Sequence, residues 1–515
     1  MKKKLLFKNF TLFFILILAF FLRFYRISKV PSSLDWDEVA IGWNANTIFH
    51  TRRDEFGTKL PLTFKSFGDY KSPLLIYLTA PVVGIFGLSE FSVRFPSAFL
   101  GSLTVLLIYF LVKELTETES VSLISALLLA ISPWHLQFSR PAFEPNLALF
   151  FIVLGTLFFL KSFTKKLFLP LSALSFALSL YSYHSPKIFL PLFFIGLSLI
   201  FKEHLLKNKK YLIASIIFGA IIVFPLAKLH LVGEAGARFY GASIFYTEKE
   251  EKRPLDLKLI SELGENYLSH FSPRFLFLGS DKDLRIKIKE VGPVYLIEAP
   301  FLIWGILKLF KKRKTKLSKF LFFWILVGPM PAMFGRDAPH SLRSFNMLPA
   351  LIIVISFGIL EFINWSKRLS KKLRLTTWSL FFLFYSLNVG FYLYSYYFRF
   401  PVYAAPAWQY GYKEMALYVK QKENEVDKII ITSSYGQPHI FVYFFQKRDS
   451  MEIFWGQMTK YMYRDINWEA DKQLKNTLLV GTPEQIPLAA IPRWVKIEKE
   501  IYFPDGSVAF RIIKR

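Results

Sequence analysis

Cysteine is absent from this 515-residue chain, which excludes a disulfide framework, a thiolate metal site and a cysteine nucleophile. A glycine-rich phosphate loop of the Walker type and a G-x-S-x-G elbow are missing as well. ATP-driven transport and α/β-hydrolase chemistry therefore have no support in the sequence. Ionisable residues are scarce inside the apolar stretches: Glu298 is the one clearly placed within a stretch, and Glu361 lies close to the inner edge of another. A carrier or proton pump keeps several charges along its pathway, because each is costly in lipid and persists only for function, so a lipid or sugar flippase is disfavoured. Glu298 reads either as facing a cavity near the outer end of its helix or as a polar residue satisfied by a neighbouring helix.

What is present sets the class. With 53% hydrophobic residues and 57 phenylalanines, the chain lies outside the range of soluble domains and reads as a polytopic α-helical membrane protein. The net charge of +27 comes from short lysine and arginine clusters between apolar spans, as the positive-inside rule expects, so no nucleic-acid partner is inferred. Lys2-Lys3-Lys4 followed by an apolar run without a small-residue cleavage site reads as a retained first helix with a cytoplasmic start. A bilayer core of about 30 Å calls for roughly 17 to 25 apolar residues per span, which gives about 11 transmembrane helices. They fall near 8–26, 93–112, 120–137, 146–161, 166–183, 187–202, 210–229, 291–309, 318–334, 346–364 and 375–397. Lysine-rich connections at 161–166, 202–210, 308–319 and 367–374 alternate with loops of mixed charge. That alternation predicts a multi-pass protein of the plasma (cytoplasmic) membrane, with its C-terminus outside.

Two predicted external loops, 27–92 and 230–290, are too long to be connectors, and helices lying along the membrane surface are expected in them. One is predicted around Ile41 to Phe49, with Pro61 and Pro73 as breakers. From about 398 the pattern changes. Tyr410 to Lys420 has helical spacing, and Lys428 to Thr432 and Thr477 to Val480 read as strands. Trp494 to Phe503 and Val508 to Ile513 flank a Pro504-Asp505-Gly506-Ser507 turn. The expected organisation is a membrane domain over 1–397 and a small extracytoplasmic α/β domain over 398–515.

Nearly every unusual polar constellation falls on the side opposite the lysine-rich loops. Asp37-Glu38, Tyr70-Lys71, Arg140 with Glu144, Tyr183-His184 and the run Arg336 to Arg343 would share one face, as a reaction at one membrane surface requires. Each has a plainer reading. Asp37-Glu38 would cap a helix starting near Val39, where carboxylates favour the N-terminal dipole. Lys71, Arg140, His340 and Arg343 would anchor in headgroups, Glu144 would pair locally with Arg140, and His184 would be a satisfied interfacial histidine. His340 and Arg343, three apart, would share a face if that segment is helical. Arg238 and Arg274 are further cations of the second loop. His340, His184, Asp337 and Glu38 match no compact zinc signature, so no metal is assigned and no cofactor is expected, a divalent ion being left open.

Asp35-Trp36-Asp37-Glu38 after the first span, Tyr70-Lys71-Ser72-Pro73-Leu74, and Glu90-Phe91-Ser92-Val93-Arg94-Phe95-Pro96 entering the second resemble the start of GT-C glycosyltransferases. More narrowly, they are similar to the family of protein O-mannosyltransferases and lipid A aminoarabinose transferases. The resemblance extends through Ser139-Arg140 with Glu144 and the stretch Asp337 to Arg343, covering about residues 1 to 400. It implies a GT-C-like fold and transfer of a sugar from a polyprenyl-phosphate donor to a glycan, lipid or protein acceptor at the extracytoplasmic face. The family's catalytic acidic residue matches Asp37, which would act as the base that takes the acceptor proton. Glu38 would position a substrate or shift its neighbour's pKa, and Glu144 is a second acidic candidate where the family more often has aspartate. Fixed cations are needed at the leaving phosphate, and Lys71, Arg140, His340 and Arg343 are the candidates. Tyr70, Tyr183, His184 and Asp337 complete the substrate-binding set. The competing reading within the same chemistry is a polysaccharide ligase or polymerase on a related scaffold.

Overall fold

Each segment expected to span the bilayer is helical over most of its length in the computed structural model, which describes residues 2–231, 243–247 and 251–515. Arg238 lies outside the described residues. The first half of the chain forms α1 (Lys2–Phe24), α2 (Trp36–Thr51), α3 (Pro73–Phe86), α4 (Glu90–Thr116), α5 (Glu119–Ile131), α6 (Pro133–Ser139), α7 (Glu144–Lys161), α8 (Phe168–Leu180), α9 (Pro186–Ile200), α10 (Lys202–Lys207) and α11 (Lys209–Leu231). Further on come the helices Leu257–Ser269, Ala299–Lys311, Lys316–Val327, Leu348–Ser366 and Lys371–Tyr394. Among the described residues, four helical stretches are long and apolar enough to cross a membrane: α4, α7, Lys209–Leu229 and Phe345–Ser366. The pair α5 and α6 makes one more if read as a single span bent by 56°. Shorter apolar helices, among them Asn9–Phe24, α8 and α9, occupy other expected spans.

Contacts group the chain into two compact units. One comprises Met1–Tyr25, Leu62–Leu75 and Ser97–Ser395, the other Arg26–Pro61, Ile76–Pro96 and Tyr396–Arg515. In the first, the bend between α5 and α6 has a chemical cause. Pro133 lacks the N–H that would bond the carbonyl of Leu129, and the guanidinium of Arg23 takes over. It donates to Leu129 O at 3.2 Å and Ala130 O at 3.2 Å, and its Nη2 lies 2.7 Å from His135 Nδ1. Glu298, one of two readings above, is buried and satisfied by its neighbours. Its Oε2 accepts the Tyr295 N–H at 3.1 Å and its Oε1 the Tyr385 hydroxyl at 2.5 Å, closing the N-terminus of its helix. Helices Ala299–Lys311 and Leu348–Ser366 approach backbone to backbone through Gly305 and Gly358. A Cβ on Gly358 would meet the carbonyl of Phe301, and one on Gly305 the carbonyl of Val354, the small-residue packing that membrane helices favour.

In the second unit, α2 departs from the expected surface helix. Glu38 to Ala45, Thr47 and Ile48 are buried, so most of its circumference, including the polar Glu38, Asn44 and Thr47, lies inside this unit. It packs on the helix Pro438–Gln446. The C-terminal part forms a five-stranded sheet of order β4-β3-β5-β7-β6, from β3 (Lys428–Ile431), β4 (Tyr461–Tyr463), β5 (Thr477–Gly481), β6 (Ile497–Tyr502) and β7 (Val508–Lys514). β3 runs parallel to β4 and β5, while β6 and β7 form the expected hairpin. Its turn places Gly506 at φ +90°, with Gly506 N–H donating to Phe503 O at 2.9 Å.

The glycine crossing is directly testable. Gly358→Ala should force the two helices apart and destabilise the protein by about 1–3 kcal/mol. Gly390→Ala, in a helix with open space around that position, should be neutral or slightly stabilising. Thermal unfolding midpoints in nanodiscs separate the two.

Candidate functional site

In the second unit, the chain leaving α1 is held by one buried arginine. Arg94, fully buried, donates to the carbonyls of Ile27 (2.9 Å), Pro31 (3.0 Å) and Ser33 (2.5 Å), and grips both oxygens of Glu38 with one edge of its guanidinium, Nε and Nη2, at 2.9 and 2.8 Å. Glu38 is itself 0% exposed, so its carboxylate faces Arg94 rather than an open cleft. Asp35 caps α2 by accepting the Glu38 N–H at 2.9 Å. Asp37, between the cap and the clamped glutamate, is half-buried. Carboxylates in a first helical turn also meet the positive end of the helix dipole.

The remaining sequence candidates belong to the first unit. Tyr70 and Lys71 lie on a hairpin the sequence reading missed, β1 (Phe64–Ser66) paired with β2 (Asp69–Lys71). The turn between them is Phe67-Gly68, with φ of +53° and +80°, the mirror-image turn that two-residue hairpins favour. Lys71 is 8% exposed, its ammonium 5.9 Å from the Phe67 ring centre. The next residue, Ser72, donates its N–H to Glu144 Oε1 at 3.0 Å across 72 residues of chain, which ties Glu144 to the end of the Lys71 strand. Arg140 is fully buried and donates to the carbonyls of Leu22 (2.5 Å), Arg23 (3.0 Å) and Tyr25 (2.8 Å). That makes it the cap of the C-terminal end of α1.

Asp337, His340 and Arg343 converge, but not as a helix face. Residues 336–344 form successive turns, because Pro339 cannot donate within a helix and pushes its predecessor out of the helical region. The Asp337 carboxylate bridges the other two instead, Oδ1 at 2.6 Å from Arg343 Nη1 and Oδ2 at 3.3 Å from His340 Nε2. Tyr183 and His184 sit beside this loop, since Ser185 Oγ donates to the Arg343 carbonyl at 3.0 Å and accepts from Asn346 at 3.0 Å. Lys187 donates to His184 Nδ1 at 3.1 Å. Arg274 is exposed at the start of a short turn.

Two ionisable residues escaped the sequence reading. His270 accepts the His340 N–H on Nε2 at 3.0 Å. Its Nδ1 therefore carries the proton donated to Asn266 O at 2.8 Å. Asp281 accepts the Ser341 N–H at 2.7 Å. Asp281, Lys282, Asp283, Asp337 and His340 line a cavity of about 330 Å³. Burial, with the Arg343 charge behind it, pushes His340 down to about 4; burial pushes His270 down to about 4 and Asp281 up to about 6. For Asp337, burial raises the carboxyl, His340 and Arg343 lower it, and the balance lies below the usual aspartate value. Among the described residues, no group of three or more His, Asp or Glu is arranged to hold a metal ion. No spacing pattern marks His270, which caps the helix Leu257–Ser269, or Asp281; each is joined to its partner only by folding.

The family model for dolichyl-phosphate-mannose-protein mannosyltransferases matches residues 70–227. No curated protein matches the chain by sequence. Among solved structures, ArnT from Cupriavidus metallidurans bound to undecaprenyl phosphate superposes with a TM-score of 0.59 at 12% identity, over 99% of this chain and 98% of that one. The Archaeoglobus fulgidus oligosaccharyltransferase tethered to an acceptor peptide gives 0.51 at 14% identity, over 98% and 74%. The oligosaccharyltransferase AglB of the same organism, in complex with an inhibitory peptide and a dolichol-phosphate, gives 0.52 at 13%, over 94% and 70%. The resemblance read from the sequence is borne out: this is a GT-C fold related to those of the O-mannosyltransferases and ArnT.

The two depressed histidines set an acid limit. Their folded pKa values lie below the unfolded value of about 6.5, so the fold binds fewer protons there. Their contribution is complete above pH 6.5 and is lost as pH falls toward 4. Asp281, raised from 3.8 to about 6, works in the opposite direction, losing its contribution as pH rises through 6. One carboxyl does not cancel two imidazoles, so the thermal midpoint should fall between pH 6.5 and 4, and His270→Asn should flatten that slope.

Proposed function

We propose that the protein is a membrane glycosyltransferase that moves a sugar from a polyprenyl-phosphate carrier to an acceptor hydroxyl at the extracytoplasmic face. The observation that carries this reading is the match along nearly the full length of both chains to a structure that binds undecaprenyl phosphate. The family match over 70–227 supports it, because that stretch carries Tyr70, Lys71, Arg140, Glu144, Tyr183 and His184. In this mechanism the acceptor oxygen attacks the anomeric carbon and Asp37 takes its proton. The bond from that carbon to the phosphate oxygen breaks, and its electron pair stays on the phosphate. A general base of this kind contributes about 10²–10⁴ in rate.

The cations divide by their surroundings. Arg343 offers a planar fork suited to phosphate and Lys71 a point charge; His340, held neutral, donates or accepts one hydrogen bond. Arg140 and Glu38 act at one remove, the first by holding the end of α1 and the second by clamping α2 to Arg94. Glu144 orients the Lys71 strand through Ser72, and Tyr70, Tyr183, His184 and Asp337 contact the substrates. An apolar cavity of about 390 Å³ lined mainly by α8, α9 and α11 is assigned to the isoprenoid chain. The sheet domain serves acceptor recognition.

Two outcomes check the assignment. With a panel of polyprenyl-phosphate sugars in nanodiscs and products read by mass spectrometry, Asp37→Asn should lose at least about 100-fold in transfer while its unfolding midpoint stays at the parent value. Retained transfer would remove Asp37 as base. Arg343→Ala should weaken donor binding by about tenfold or more, and Arg343→Lys should recover only part of it; donor affinity equal to the parent's would end the phosphate role of Arg343.

A further inference from the structure

Asp37 is flanked by two residues whose positions are fixed by one short segment of the C-terminal part of the chain. On one side, Trp408 is buried with its ring centre 5.8 Å from the guanidinium carbon of Arg94, and Arg94 clamps Glu38. On the other, Gln409, 6% exposed, accepts the N–H of Trp36 on its Oε1 at 2.7 Å and donates from Nε2 to the Tyr435 carbonyl at 2.6 Å. The Trp36 N–H is one of the α2 amides with no partner inside the helix, so the glutamine supplies what the helix cannot. Gln409 adopts φ +52° to do this, a conformation uncommon for a residue with a long side chain.

The far end of the bridge is rigid. Tyr435 belongs to the loop that leaves the carboxyl end of β3. Asp465 Oδ1 gathers that loop, accepting from Thr432 Oγ1 (3.1 Å), Ser433 N (3.1 Å) and Oγ (2.9 Å), and Ser434 Oγ (3.1 Å). Tyr412 donates to the Gly436 carbonyl at 3.0 Å, and the Tyr435 hydroxyl to Ala509 O at 3.2 Å. Gly436, at φ +80°, lies under the Trp36 ring so closely that any Cβ there would strike it.

We propose that Gln409 is a positioning residue for Asp37, coupling the sheet domain to the first turn of α2 so that this domain takes part in setting the base as well as in meeting the acceptor. The inference rests on the reaction assigned above. A base must sit within hydrogen-bond reach of the acceptor proton, and a displacement of about 1 Å costs as much as 100-fold. Holding Trp36 and Glu38 on either side leaves Asp37 few ways to drift.

The test uses the full-length protein in nanodiscs and Gln409→Asn. Asparagine tolerates positive φ better than glutamine, so the variant keeps its backbone, but its shorter side chain cannot span from Trp36 to Tyr435. Hydrogen–deuterium exchange in residues 36–41 should accelerate about fivefold. Turnover with the donor that the parent accepts should fall by about 10- to 100-fold, at unchanged donor KM. Gln409→Glu, which keeps an acceptor for the Trp36 N–H but loses the donor to the Tyr435 carbonyl, should recover only part of both effects. Exchange at the parent rate, or faster exchange with undiminished turnover, overturns the proposal. A parent that transfers nothing from any donor overturns the assigned reaction and with it the role of Gln409 in catalysis; the exchange measurement then still reports the mechanical link by itself.

Discussion

Backbone carbonyls stranded where helices end, in surroundings with little water to receive them, are the constraint on which this structure depends. An unsatisfied carbonyl in an apolar setting costs several kcal/mol, and the chain from Ala19 to Ser33 has several. Three fully buried arginines supply the donors. Arg140 takes the carbonyls of Leu22, Arg23 and Tyr25; Arg94 those of Ile27, Pro31 and Ser33; and Arg23, inside the same stretch, takes Ala19 and the two carbonyls freed at the bend between α5 and α6. Within the second unit, the segment that delivers Asp35 to Glu38 is fixed by hydrogen bonds from Arg94, distant in sequence, without strands or disulfides.

This changes what the positive charge means. Lysine clusters between spans follow the orientation rule, but Arg23, Arg94 and Arg140 are framework. A buried guanidinium without a counter-charge is expensive, and breaking such a pair leaves a penalty of about 3–5 kcal/mol. Arg94 has Glu38 as its carboxylate. The clamp distinguishes two adjacent carboxylates: Glu38 is fully buried against Arg94, and Asp37 is half-buried.

The sequence disclosed the parts whose signal is local. Apolar runs of sufficient length located the helices, β-branched runs located β3 and β5, and Pro504-Asp505-Gly506-Ser507 located the hairpin of β6 and β7. Features set by distant partners stayed hidden. Glu38 meets Arg94 across 56 residues, Trp36 meets Gln409 across 373, and His270 meets His340 across 70; no periodicity encodes such pairs. The interior placement of α2 was missed for a related reason, because Trp36 to Thr51 contains Asp, Glu, Asn and Thr that look like a polar face until their buried partners are known. The hairpin ending at Lys71 was missed because Phe67-Gly68 lacks the usual Asn-Gly or Asp-Gly signal. The spacing of His340 and Arg343 suggested a shared helix face, yet Pro339 forbids the helix and Asp337 unites them by charge.

That union bears on how the donor phosphate would be met. Arg343 and Asp337 are a partly exposed pair, 20% and 42%, and such pairs contribute only about 0–1 kcal/mol. Exchanging the carboxylate for a phosphate is therefore inexpensive for the protein, and until the exchange occurs Asp337 keeps the guanidinium oriented and its charge balanced. In the reaction proposed here, the bond from sugar to phosphate breaks with its electrons going to the phosphate. The charge on the incoming ligand then grows along the reaction while that of the displaced carboxylate stays fixed. Arg343 accordingly gains more from the phosphate at the transition state than in the ground state, and only such a difference accelerates a chemical step. An arginine already turned toward one anion is prepared for another, and the preference for the second increases as the glycosidic bond opens.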